Sequence, residues 1–259
     1  SLGVNLTSVS SLTIGVGNGA SGGMGTLYID DIRLYGTPPQ VIAPVDPGSN
    51  GLVAQYSMEG NLQDGSGNGN HGTPMGEPGY ADGPAGYGQV LSMDGTNDYV
   101  DLPIGPTIAT LTDTTVSTHV YFGGGTGAWQ RIFDFGSGTS RYMFFCPRTG
   151  TAGNMVFVVR GSTGAEQIVD GPTPLSIGWH HVAVTIDTQA TTTTIYVDGK
   201  PVASGGTAVL PKDMGVTTQN WLGRSQYTAD AYFLGSIDEF RIYNRVLSDA
   251  ELRYLAGDR

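Results

Sequence analysis

The sequence predicts an all-β protein, a two-sheet antiparallel β-sandwich with one short C-terminal helix. Three observations carry this. Glycine is abundant, at 41 of 259 residues, while only 14% of residues are charged, a composition of many turns and few surface helices. After residue 50 about twelve short β-rich runs alternate with Gly, Asn, Asp and Pro clusters, the spacing of a two-sheet sandwich. One strand signature is also written twice. It reads Gly25-Thr-Leu-Tyr-Ile-Asp30-Asp31-Ile-Arg33-Leu-Tyr35 and again Gly235-Ser-Ile-Asp238-Glu239-Phe-Arg241-Ile-Tyr243.

Taken in order, residues 1–36 hold two strand-like pieces, Leu12–Val16 and Thr26–Tyr35, joined by a glycine-rich turn. A lone pair of strands is marginal in water, so this segment reads as the last strands of a preceding or incomplete β-domain. Residues 37–50 carry four prolines in fourteen positions. That is a stiff, extended linker, because each proline fixes φ and lacks a ladder donor. Residues 51–259 form the complete domain. Its clearest hairpin is Thr192–Val197, Asp198-Gly199, then Lys200, a β-rich run closed by a tight turn. The helix follows Ser248-Asp-Ala-Glu251, a capping box, with Leu252 and Leu255 as its apolar face.

Net charge is −11 with only 12 Lys plus Arg. No basic stripe is available to neutralise phosphates, which argues against nucleic acid and anionic membranes as partners. No run of about 18 apolar residues exists, so nothing inserts in a membrane. Cys146 is the single cysteine, so no disulfide closes within the chain. It lies in an apolar run and reads as a structural thiol.

Six stretches, taken in register, resemble laminin-G-like, concanavalin A-like jelly rolls of bacterial secreted or surface proteins. They are Gly51 to Gly72, Val90-Leu-Ser-Met-Asp94-Gly-Thr-Asn-Asp98, Arg131-Ile-Phe-Asp134, Gly178-Trp-His180-His181, Ile195-Tyr-Val-Asp198-Gly and Gly235 to Asn244-Arg. The resemblance covers residues 51–256. It implies a jelly roll with one concave sheet, and a secreted or cell-surface setting. Residues 1–36 resemble the final strands of another carbohydrate-binding-like sandwich.

Side chains alternate faces along a strand. If Phe240 and Ile242 face the core, Asp238 points inward with them and needs a partner. The loop after the first strand offers Asp64, Asn68 and Asn70, hard oxygen donors suited to Ca²⁺, and Glu59 can add another. The resemblance implies a structural calcium at this junction of first and last strands. Asp30 would be the counterpart of Asp238 in the incomplete domain. The alternative is that Asp64 and the asparagines only form turns, while Asp238 accepts backbone N–H bonds. His180 and His181 are adjacent on a strand, so they point to opposite faces and cannot chelate one ion; one is expected to pack in the core and the other to face out.

For a sugar, Trp129, Tyr142 and Tyr227 offer aromatic faces near strand ends, with Arg141 and Arg224 as planar polar groups. Core packing is the competing reading for Trp179 and Trp221. Arg131 is equally suited to pairing with Asp134. The hydrolases of this fold carry a Glu-x-Asp-x-x-Glu strand that sets acid and nucleophile on one face. The five glutamates here, Glu59, Glu77, Glu166, Glu239 and Glu251, do not begin that pattern. The expected function is therefore non-catalytic glycan or polysaccharide binding within a larger protein. The alternative is an adhesion or assembly subunit, in which strands 1–36 pair with a neighbouring copy's sheet edge.

Overall fold

The computed structural model describes residues 42–125 and 127–257. The chain divides into two compact units, Ser1–Ile42 and Ala43–Arg259. The first signature copy, its Asp30 and the expected role of residues 1–36 lie outside the described residues.

The second unit is the two-sheet antiparallel sandwich expected. Its strands are β1 (Leu52–Tyr56), β2 (Thr73–Met75), β3 (Gly79–Asp82), β4 (Gln89–Asp94), β5 (Tyr99–Asp101), β6 (Thr114–Phe122), β7 (Phe133–Gly136) and β8 (Tyr142–Cys146). There follow β9 (Val156–Arg160), β10 (Glu166–Asp170), β11 (Gly178–Asp187), β12 (Thr192–Val197), β13 (Lys200–Gly206), β14 (Gln219–Leu222) and β15 (Leu234–Tyr243). A one-turn helix α1 (Gly105–Ile108) sits midway, and α2 (Asp249–Leu255) follows the last strand. One sheet runs β13-β12-β11-β6-β15-β4-β3, with β1 beside the second half of β15. The other runs β10-β9-β8-β7-β14-β5-β2. Strands β2 and β3 are absent from the sequence reading. They are short, fully exposed edge pieces, with no alternation of apolar residues to betray them.

The core lies between the sheets. Val116, Val120, Val182, Val184, Phe240 and Ile242 face Phe133, Phe135, Phe145 and Phe157. The ring of Phe240 meets Phe133 and Phe135 edge-on, at 6.0 and 6.1 Å between centroids, the arrangement that aromatic quadrupoles favour. The β12–β13 hairpin turns through Asp198 (φ 50°) and Gly199 (φ 70°), both left-handed as a tight hairpin turn needs.

Helix α2 packs Leu252 and Leu255 on the outer face of the eight-stranded sheet, against Ala183, Tyr196 and Tyr243. Its capping box is closed: the Glu251 N–H donates to Ser248 Oγ, and the Ser248 N–H to Glu251 Oε2. Glu251 also grips Arg245 at 2.7 Å, and Arg245 donates to the carbonyls of Pro47 and Asn50. Val45 N–H donates to the Ala250 carbonyl at 3.0 Å. The described part of the proline-rich linker is thus fastened to the C-terminal helix.

The strand parity read for Asp238 needs correction. Register runs Asp238 opposite His119, then resumes with Arg241 opposite Ser117, so β15 carries one extra residue. Glu239 sits in the left-handed region at φ 49°. This β-bulge shifts the alternation by one. Ile237, Phe240 and Ile242 all belong to the core, whereas Asp238 shares the outer face with His119. A similar correction applies to the histidines. His181 is buried on the outer face, where Ser117 Oγ lies 2.8 Å from its Nε2. His180 is held by Asp198 and Ser176. Neither packs in the apolar core.

Candidate functional site

The outer face of the seven-stranded sheet is apolar where outer faces are usually polar. Along β8 and β9, Met143, Phe145, Phe157 and Val159 enter the core. Tyr142, Phe144, Cys146, Val156 and Val158 point the other way and form a second buried cluster. Over that cluster lies a groove of about 500 Å³. Trp129 and Tyr227 stand on one side of it, and Glu166, Ile168 and Asp170, the outward residues of β10, on the other. Trp129 and Tyr227 are 38% and 37% exposed, whereas the floor residues Tyr142 and Phe144 are 4%. This is an aromatic floor with a partly exposed aromatic wall on one side and an acidic, partly apolar wall on the other, a mix of apolar surface and polar groups that small-molecule sites commonly show.

The base of the groove is organised by Arg131. It is buried, and its side chain is engaged on every side. Nη1 donates to the Trp129 carbonyl at 2.6 Å and Nη2 to Asp230 Oδ2 at 3.0 Å. Nε lies 3.5 Å from Asp134 Oδ2, and the guanidinium plane covers the Phe144 ring at 3.8 Å. Burial pushes the Asp134 carboxyl up to about 7 against the pull of Arg131. Trp129 itself occupies the left-handed region, at φ 59°. A bulky residue there is strained, and the Arg131 bond to its carbonyl helps to hold it. Tyr142 OH donates to Glu166 Oε1 at 2.6 Å and accepts from Tyr227 OH at 3.2 Å. Burial raises the Tyr142 phenol, so it stays a donor. Cys146 is a structural thiol as expected: burial pushes it up to about 11.

Of the five expected ligand residues, the groove gathers Trp129, Tyr142 and Tyr227. It does not gather Arg141 or Arg224. Arg141 donates to the Met214 carbonyl at 3.0 Å. Arg224 stacks on Trp221 at 4.3 Å and Tyr99 at 4.6 Å, in a shallow depression beside Tyr227. Sequence reasoning passed over Phe144, Glu166 and Asp170. The signal was present in Tyr142–Cys146 and Val156–Val159, which are continuously apolar and not alternating, the mark of strands covered on both faces.

The expected calcium ligands are dispersed. Asp64 Oδ1 accepts the N–H groups of Gln55 and Ser66, and Oδ2 that of Asn70. Burial works to raise this carboxyl, but these hydrogen bonds outweigh it and hold it below the usual range. Asn68 Nδ2 donates to the Val53 carbonyl, and the Asn70 carbonyl accepts from Tyr56 OH. Glu59 Oε2 accepts from Gln89 N–H. Asp238, on β15, lies in a cleft of about 510 Å³ lined also by Gln55, Tyr87, His119 and Glu239. Its Oδ1 accepts the Glu239 N–H, while Oδ2 is buried with no hydrogen bond. Burial, then the charges of Glu239 and Glu59, push it up to about 7. Among the described residues no three of His, Cys, Asp and Glu converge as a metal site.

An all-β sandwich of two antiparallel sheets, with an aromatic groove on one outer face, has the architecture of a lectin-like module. The chain belongs to the laminin G-type family described as the concanavalin A-like lectin/glucanases superfamily, whose model matches residues 94–253. No curated protein matches the sequence. Among solved structures it is similar to domain 4 of AbnA, a GH43 extracellular arabinanase from Geobacillus stearothermophilus, in complex with arabinotriose. That match has 25% identity and a TM-score of 0.66, covering 79% of this chain and 98% of that one. The CBM40 of the Ruminococcus gnavus IT-sialidase matches at 22% identity and a TM-score of 0.56, covering 65% of this chain and 96% of its own. The receptor binding domain of botulinum neurotoxin C/D mosaic serotype matches at 14% identity and a TM-score of 0.63, covering 82% of this chain and 52% of its own. At such identities the last two show the fold alone. No helix among the described residues is long and apolar enough to cross a membrane.

Proposed function

We propose that this domain is a non-catalytic glycan-binding module of a larger secreted or cell-surface protein. The sugar lies in the groove against Trp129, Tyr142 and Tyr227. The observation that carries this is Trp129: an indole held in a strained backbone conformation and left 38% exposed above an aromatic floor. Strain of this kind persists where the surroundings enforce it and clusters at functional positions. Support comes from the domain similar to this chain whose structure was solved with arabinotriose. The setting is supported by the same relative, which is part of an extracellular arabinanase.

The non-catalytic reading rests on the carboxyls. Acid–base cleavage of a glycosidic bond needs one carboxyl held protonated beside the sugar. The raised carboxyl here, Asp134, is fully buried beneath Arg131 and out of a sugar's reach. Glu166 and Asp230 are tied to Tyr142 and Arg131.

A glycan array followed by calorimetric titration of the hits tests the proposal. Stacking on the open part of the Trp129 indole covers roughly 60–90 Å² of apolar surface, so Trp129→Ala costs about 2 kcal/mol and weakens binding by roughly tenfold or more. Absence of any hit at millimolar sensitivity, or hits that Trp129→Ala leaves unchanged, removes the groove as the site.

A further inference from the structure

We infer that the groove selects uncharged glycans and rejects acidic ones, because the guanidinium in its floor is already occupied by the protein's own Asp230 and Asp134. This inference rests on the reading of the groove as a glycan site and adds the class of sugar.

Recognition of a sugar carboxylate calls for a cation with free donors, and a guanidinium does this best when its fork is open. The groove contains a guanidinium, but Arg131 turns its fork inward. Its three nitrogens face the Trp129 carbonyl, Asp230 and Asp134. The plane that remains is closed by Phe144, and only 2% of the side chain is exposed. An acidic ligand could use it only by displacing Asp230 or Asp134 from a buried pair, which strands a protein carboxylate in low dielectric.

The other charges lining the groove are carboxylates: Glu166, Asp170 and Asp230. The cations nearby do not reverse this balance. Arg160 is linked to the Tyr142 hydroxyl and lies within electrostatic reach of Glu166. Arg224 is stacked on Trp221 and Tyr99 beyond Tyr227. Arg148 donates to the Gly125 carbonyl. The chain as a whole carries −11, so the long-range field also opposes an anion. For a neutral sugar the same groups are assets. Asp170, and the carboxylate oxygens of Glu166 and Asp230 other than those bonded to Tyr142 and Arg131, can accept hydroxyl donors beside the aromatic floor.

The test pairs neutral and acidic oligosaccharides by titration calorimetry: lactose against sialyllactose, and galactan fragments against galacturonan fragments. The expected result is neutral binding at least roughly tenfold tighter than acidic binding at low salt. Raising salt from about 0.02 to 0.5 M narrows that gap by screening the repulsion, while neutral affinities hold steady. Asp170→Lys should tighten binding of the acidic partner by roughly fivefold or more. Acidic sugars that bind as tightly as neutral ones overturn this inference and leave glycan binding intact. Binding confined to glucosamine oligomers overturns it as well, in favour of a cationic ligand. No binding by any member overturns both this inference and the reading beneath it.

Discussion

Stability should rise as the solution is acidified from neutrality, opposite to the trend when paired carboxylates dominate. Two carboxyls, Asp134 and Asp238, sit near 7 in the folded chain against 3.8 when unfolded, both chiefly through burial. Between those values the folded state holds two protons that the unfolded state has released. His181 works the other way. Burial, then His119 and Arg241, keep it neutral well below 6.5, so the unfolded state binds one proton that the folded state does not. The net difference is one proton in favour of the folded state. Each proton is worth about 1.4 kcal/mol per pH unit, so stability climbs by about 3 kcal/mol from pH 6.5 to 4.5. For a domain of this size that raises Tm by roughly 6–12 °C. Asp101, also raised by burial, adds in the same direction. Asp64 and Glu251, held low by their hydrogen bonds despite burial, take stability away only as pH falls below about 5. Thermal unfolding followed by circular dichroism across this range measures the slope. Asp134→Asn and Asp238→Asn should each flatten it and together reverse it, while His181→Asn should steepen it. A double carboxyl variant whose profile superimposes on that of the parent refutes the reasoning.

The remaining predictions concern stability and ions. Arg131→Met removes the cation from a buried pair and should cost about 3–5 kcal/mol by denaturant unfolding, with part regained on adding Asp134→Asn. Gly235→Ala should cost about 3 kcal/mol or more, because the new Cβ would run into the Tyr121 carbonyl oxygen, a backbone atom that cannot swing aside. That close approach accounts for the glycine at position 235. Excess chelator should leave Tm in place, since both Asp64 oxygens already accept N–H groups. A calcium-dependent rise of several degrees that Asp64→Asn abolishes would show that the loop reorganises around an ion.

The architecture was legible in the sequence because its devices are local. The capping box at Ser248, the Asp198-Gly199 turn and the β-rich run of β12 each declare themselves within a few residues. The site was half legible. Trp129, Tyr142 and Tyr227 could be chosen as aromatics near strand ends, but nothing local says that β8 and β9 bury both faces, or that residues 99 positions apart, Arg131 and Asp230, meet. The Asp238 reading failed at one residue. Parity assumes an unbroken strand, and the bulge at Glu239 is fixed by its pairing with β6, which no window of β15 displays. Arg141 and Arg224 were chosen by proximity in sequence, yet a carbonyl and a pair of rings already occupy them.

The clasp made by Arg245 and the Val45–Ala250 hydrogen bond has a mechanical consequence. The segment entering the sandwich and the helix that follows its last strand are joined at one patch, on the outer face of the eight-stranded sheet. Tension pulling residue 43 away from the helix is borne there first, by a guanidinium fork and one backbone bond. The strands stay unloaded until that clasp opens. The groove belongs to the opposite sheet, so its shape is insulated from the early part of any such pull.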